Sequence, residues 1–370
     1  MRPAPRPLLR RLRYPLLGLA VLVVLAAAPI LYVETSCQGR RGAESAQFRS
    51  VLEPAHRREE INSYLTYPEW SIVHAYEDLA GVMRQGSESD FAYFASIGSY
   101  WSSLCNITRL ASSRGTISLE YKVMLYTIGL SFAAEMGLKG LYELTIGRFT
   151  AWFRGPKRTP EDEFALAVAE DYAAFLRQTP WYEYPFGSKL AQFWIETPMA
   201  YGSAVRKLER RIALSLEYGG KAVYARLIGL GAAASPAPLS IRSVVRGLDA
   251  SDLAADKRIT LIARLDDGSS VIETPRYRAF TEILQGLAKR GRDLVEIAGN
   301  DDVLITVLTR DAAAARNIDA PELFAVPVQA RPGWRRLGLD VKVPKLLGLM
   351  RQIEGQTEKT TIELEHVYDY

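Results

Sequence analysis

The chain has 370 residues, of which 48% are apolar, with a formal charge of +4. At ~150 residues per domain this allows about two domains and an attached segment, and it excludes wholesale disorder. The first 33 residues hold five arginines (Arg2, Arg6, Arg10, Arg11, Arg13) and no acid, so the remaining body is close to neutral. Net charge therefore gives no argument for a nucleic-acid partner. Two cysteines and three histidines exclude a zinc-finger framework, a haem-attachment motif and a disulfide scaffold.

Tyr14 to Val33 is an uncharged run of 20 residues, about one bilayer crossing. Arginines precede it and Glu34 follows, which places residues 1–33 as a cytoplasmic basic tip and transmembrane anchor, with the body outside. The rival reading is a cleaved signal peptide at Ala26-Ala27-Ala28, opposed by the adjacent Pro29. Either way, Cys37 and Cys105 reach a compartment where they can pair as a disulfide. The other reading is two unrelated cysteines.

Residues 34–60 are polar and read as a stalk. Helical periodicity then predicts a helical domain over about 61–235. Its first helix starts at Tyr67-Pro68-Glu69-Trp70, where Pro suits the first turn and Glu complements the positive end. It stops at Gln85-Gly86-Ser87. Further helices are predicted near 90–113, 119–153, 160–178, 187–196 and 198–231, with 232–238 as a linker. Trp181, Tyr182, Tyr184 and Phe186, broken by prolines, read as a loop covering a core.

Self-similarity organises this domain. Residues 77–85 and 170–178 share Glu-Asp, Ala and Arg-Gln at the same positions, and Tyr100-Trp101 aligns with Phe193-Trp194 at the same offset. A second match, E-x-G-x-K-x2-Y-x3-I-G, runs from Glu135 to Gly147 and again from Glu217 to Gly229. Residues 67–153 and 160–231 are read as two copies of one unit about a pseudo-two-fold axis, against a background of chance similarity between Ala-rich helices. Glu135/Lys139 and Glu217/Lys221 are i,i+4 pairs in apolar surroundings, with Tyr142 and Tyr224 placed to supply a further hydrogen bond. The leading reading is a doubled polar lock between the copies. The alternative is a ligand or proton site that uses the same six residues. Charges interrupt 123–153 and 212–231, so buried soluble helices are expected there, with a membrane-resting bundle as the other reading.

After 240 the pattern changes to a C-terminal α+β domain. Strands are predicted at 259–265, 271–273, 294–297, 303–308, 323–330, 337–343 and 361–368, with helices at 276–291 and 344–353. Asp266-Asp267-Gly268-Ser269 and Gly299-Asn300-Asp301-Asp302 read as hairpin turns. The result is a two-layer, ferredoxin-like domain over 240–370, on a chain that is mainly α overall. Alternation along the last strand puts Ile362, Leu364, His366, Tyr368 and Tyr370 on one face. His74 reads as a structural histidine, and neither a metal site nor a cofactor is expected.

The stalk, Tyr67-Pro68-Glu69-Trp70, Ile97-Gly98-Ser99-Tyr100-Trp101, Glu143-Leu144-Thr145-Ile146-Gly147-Arg148 and Glu365-His366-Val367-Tyr368-Asp369-Tyr370 together resemble a family of uncharacterised bacterial single-span membrane-anchored proteins. That resemblance implies an anchor in the inner membrane and a periplasmic body, and no chemistry. The expected function is a binding or assembly module for lipid or an envelope protein partner. The alternative is an envelope enzyme or transport accessory using the Glu/Lys site.

Overall fold

The uncharged run lies within a single helix, α1 (Leu8–Ser36), in a computed structural model that describes residues 8–40, 48–198, 203–232, 239–311, 318–356 and 362–370. Most of the expected linker and the first residues of the basic tip lie outside the described residues, as do the side chains at 8–13, 15, 16, 19 and 22 of α1. Among the described residues no helix is long and apolar enough to cross a membrane. The side chains of α1 are described without interruption only over 23–36, a stretch that carries Glu34.

The expected stalk does not stand free. Leu52 is buried, and its N–H donates to Glu296 Oε1 at 3.1 Å. Arg58 donates to the Tyr370 carbonyl at 2.8 Å. Residues 48–60 are thus strapped across the C-terminal domain.

The helical part comprises α2 (Ile61–Leu65), α3 (Tyr67–Gln85), α4 (Tyr93–Arg114), α5 (Leu119–Tyr142), α6 (Arg148–Arg154), α7 (Pro160–Leu176), α8 (Phe186–Glu196) and α9 (Ala204–Ala232). Local chemistry sets the ends. Pro68 and Glu69 occupy the first turn of α3, and Gly86 closes it. Thr159 caps α7 in a capping box with Asp162, followed by Pro160. The single helix expected over 119–153 is interrupted by a π-helical turn, Glu143–Gly147. There the Glu143 carboxylate fills the space over Gly147, where any Cβ would collide with it. Tyr184 and Phe186 are buried, so the proline-aromatic loop covers core.

The C-terminal part holds two antiparallel four-stranded sheets, where one was expected. The first contains β1 (Ser240–Arg246), β2 (Thr260–Arg264), β3 (Ser269–Pro275) and β4 (Asp293–Ile297), with α10 (Ala250–Ala255) after β1 and α11 (Arg278–Lys289) before β4. The second contains β5 (Asp302–Thr309), β6 (Glu322–Pro327), β7 (Arg335–Lys342) and β8 (Ile362–Val367), with α12 (Val343–Gln356) before β8. The orders β2-β3-β1-β4 and β6-β7-β5-β8 are the same arrangement made twice. β1 is the strand the sequence concealed, because Ser243, Val244 and Val245 are all buried and break the alternation. Gly299 and Asn300 therefore do not close a hairpin; they carry the chain from one sheet to the other. Gly299, at φ 87°, leaves room for the Arg57 side chain.

The two sheets share an apolar core with α11 and α12. The other face of the second sheet receives the helical part: Tyr67 meets Phe324 at a centroid distance of 4.2 Å, and Trp70 meets His366 at 3.7 Å. Covered on both sides, β5 is buried at nearly every position. A register shift between β5 and β8 corrects the reading of the last strand: Thr306 pairs with His366, but Val307 pairs with Leu364. The extra residue reverses the alternation. Ile362 and Leu364 pack in the core between the sheets, whereas His366 and Tyr368 turn toward the helices.

Candidate functional site: the polar seam between the helical copies

The residues that matched in the sequence contact one another across the two copies. On α3 and α7, Arg84 binds Glu170 at 2.7 Å, and the equivalent Arg177 binds the equivalent Glu77. On α5 and α9, Lys139 binds Glu217 at 2.9 Å, and the equivalent Lys221 binds Glu135 at 2.7 Å. Reciprocal contact of this kind is the signature of a two-fold relation. The expected pairing within each helix is thereby corrected. Each lysine reaches across to the antiparallel helix, and only Glu217–Lys221 also meets within one helix, at 3.3 Å.

The expected tyrosines are not the partners of these pairs. Tyr142 donates to Glu209, whereas Tyr224 is exposed, 3.5 Å from Ser131 Oγ and against the Trp181 ring. Three residues beyond each lysine is nearly a full turn past the crossing. Tyr76 of α3 takes the role instead, donating to Glu135 at 2.6 Å.

The seam continues through residues the sequence reading missed. Arg210 (1% exposed) binds Glu88 at 2.8 Å, Glu143 at 2.6 Å and Glu209 at 2.6 Å. Arg206 binds Asp162 at 2.8 Å and Glu209 at 3.0 Å, and donates to the Gly147 carbonyl. Lys139 also holds Glu88, at 2.7 Å. Among the described residues, Oε2 of Glu143 (2% exposed) is left without a partner. The one available signal was Glu209-Arg210-Arg211 interrupting apolar spacing, and periodicity reads such a cluster as the solvent face.

Environment splits the acids. Burial would raise the Glu217 carboxyl, but Lys139 and Lys221 outweigh it and bring it down to about 2. Burial and then the neighbouring Glu88 push Glu143 up to about 7 against the pull of Arg210. Burial disfavours the charge on Lys139, yet Glu217 and Glu88 hold its pKa well above the usual lysine value. Chemically, the seam is a lattice of compensated charge. The cavity beside it, lined by Tyr76, Glu88, Lys139, Tyr172, Glu217 and Lys221 among others, measures about 30 Å³, room for water and too small for an organic ligand.

Two other clusters bear on the expectations. Cys37 and Cys105 are joined in a disulfide, with Cα atoms 5.0 Å apart, fixing the end of α1 to α4. His74, Glu77 and Glu365 bring three donor atoms within 4.8 Å of one another. Each is engaged: His74 with Glu77 at 3.1 Å and with the Tyr368 hydroxyl at 3.2 Å, Glu77 with Arg177, and Glu365 with Arg336 at 2.6 Å. A divalent cation would have to displace two guanidinium groups. Burial keeps His366 neutral, well below the usual histidine value.

No family model matches the chain, and no curated protein or solved structure is found to be similar to it.

Proposed function

We propose that the protein is a membrane-anchored protein of the bacterial envelope, acting as a binding or assembly module for lipid or a membrane partner. α1 is the anchor and the body lies on the periplasmic side of the inner membrane. The helical part is a duplicated unit, and the two sheets are two ferredoxin-like units that present an interaction surface. The observation that carries the reading is α1 itself. Its 29 residues extend about 43 Å, more than the ~30 Å of a bilayer's hydrocarbon. Leu17, Val21, Val23, Val24 and Leu25 are exposed along it, while its final turn is fastened to the body by the disulfide and by Glu34 with Lys122 (2.8 Å) and Tyr126 (2.6 Å). A disulfide at that point suits an oxidising compartment. Against an enzyme or transport accessory stand the occupied oxygens of Glu217 and a cavity of water size.

The test is alkaline carbonate extraction of membranes that carry the full chain, with thiol alkylation before and after reduction. The reading requires the protein to stay in the pellet and both cysteines to react only after reduction. Release into the wash, or thiols that react without reductant, refutes it.

A further inference from the structure

α9 buries charges beside its core residues Leu214 and Tyr218 and turns an apolar stripe outward. Its inward side carries Arg206, Lys207 and Arg210, all buried, followed by Glu217 and Lys221. Its outward side carries Val205, Leu208, Ile212, Leu216 (72% exposed), Val223 and Leu227, all uncovered. The second half of α5 and the π-turn after it repeat the pattern. Lys139 and Glu143 point inward, while Leu138 (73% exposed) and Leu141 point outward, continued on α6 by Phe149, Trp152 (74% exposed) and Phe153. In water a helix buries its apolar stripe and exposes its charges. α5 and α9 do bury Leu125, Phe132, Met136, Leu214 and Tyr218, but they bury charges beside them and turn a second apolar stripe outward.

We infer that the outer face formed by α5, α6 and α9 is a lipid-contacting surface, seated in the hydrocarbon boundary of the same bilayer that α1 enters. This rests on the anchored reading above and adds a second membrane contact. Four observations select lipid as the occupant. First, the charges behind the face are paired with one another, the arrangement required where water is excluded. Second, the face lies away from the sheets: α3 meets the second sheet through Trp70 and meets α5 through Tyr76 and Glu135, so α3 stands between them. Third, the face is continuous with the anchor. The α5 stripe opens with exposed Leu119 and Val123 in the turns where Lys122 and Tyr126 hold the end of α1. Fourth, exposed Phe149, Trp152 and Phe153 are followed by exposed Lys157, aromatic rings beside a cation as favoured at the headgroup level. With the pseudo-two-fold along the membrane normal, antiparallel α5 and α9 lie in the membrane plane and submerge equivalent faces.

The full chain is reconstituted in vesicles whose phosphatidylcholine carries brominated acyl chains, and tryptophan emission is compared with vesicles of the unbrominated lipid. Bromine in the acyl region quenches only indoles that reach it. Wild type should be quenched. W152F should lose a large part of that quenching, W70F should retain all of it, and L216D should reduce it by lifting the face. If W152F is quenched as fully as wild type while the chain still resists carbonate extraction, the lipid face is wrong and the anchor stands. If the chain washes off the membrane, both readings fall. Trp152 shielded in a dimer that persists after mild detergent extraction would make the face a contact between copies and would also overturn the inference.

Discussion

Replacing Lys139 with Met tests the charge lattice most directly. The side chain keeps its length but loses its ammonium group. Two buried carboxylates are then short of a cation: Glu88, which keeps only Arg210, and Glu217, which keeps only Lys221. Stripping one partner from a buried pair costs about 3–5 kcal/mol, and K139M belongs in that range. Its pseudo-symmetric equivalent, K221M, should cost less, about 1–2 kcal/mol. Glu135 is half-buried and keeps its bond from Tyr76, and Glu217 keeps Lys139. The exchange K139E with E217K should not restore stability, because Glu at 139 would face Glu88 and Lys at 217 would face Lys221. The measurement is denaturant unfolding of the full chain in mild detergent, read as a double-mutant cycle. Equal costs for the two lysines, or recovery in the exchanged protein, would refute the argument that the lattice, and not an isolated pair, is the unit.

Three further outcomes follow from the same geometry. Glu217, depressed to about 2, contributes stability that is complete above its unfolded value near 4.5 and is lost as pH falls toward 2, so E217Q should flatten the acid limb of a stability profile. Glu143, raised to about 7, has the opposite sign. Its protonated form is the favoured one in the fold, so stability is lost as pH rises from about 4.5 to 7, and wild type should lose up to about 3 kcal/mol more than E143Q over that window. A parallel course for the two proteins across that range would disprove the assignment. Gly147→Ala should destabilise by about 1–3 kcal/mol, measured by thermal unfolding, because the new methyl group pushes on the Glu143 carboxylate, which Arg210 holds in place. Reducing Cys37–Cys105 should cost about 2–4 kcal/mol and expose the chain near residues 36–40 to protease, with the rest of the body still folded.

Local pattern carried much of the architecture. Pro68-Glu69 and Thr159-Pro160 start helices because they satisfy or complement free N–H groups within one turn. Asp267-Gly268 turns the chain because Gly268 accepts φ 80°. The doubled motif was legible because its repeated residues are the ones that touch, so Glu135, Lys139, Glu217 and Lys221 were found together on the page as in space. The first sheet was not legible as a sheet of its own, since β1 is buried on consecutive positions and its identity lies in its neighbours β3 and β4.

What the sequence by itself determined is which residues of each helix share a side and which two stretches carry the same motif; both follow from spacing along one chain. What only the tertiary structure decided is which side faces inward. Periodicity fixes the phase of a stripe and is silent on its sign. For α9 the choice fell to Asp162, Glu88, Glu143 and Glu135, brought from other elements to meet Arg206, Arg210 and Lys221. Ion pairs assembled from distant parts of the chain have no local signature. They turned a stripe of valine, leucine and isoleucine outward.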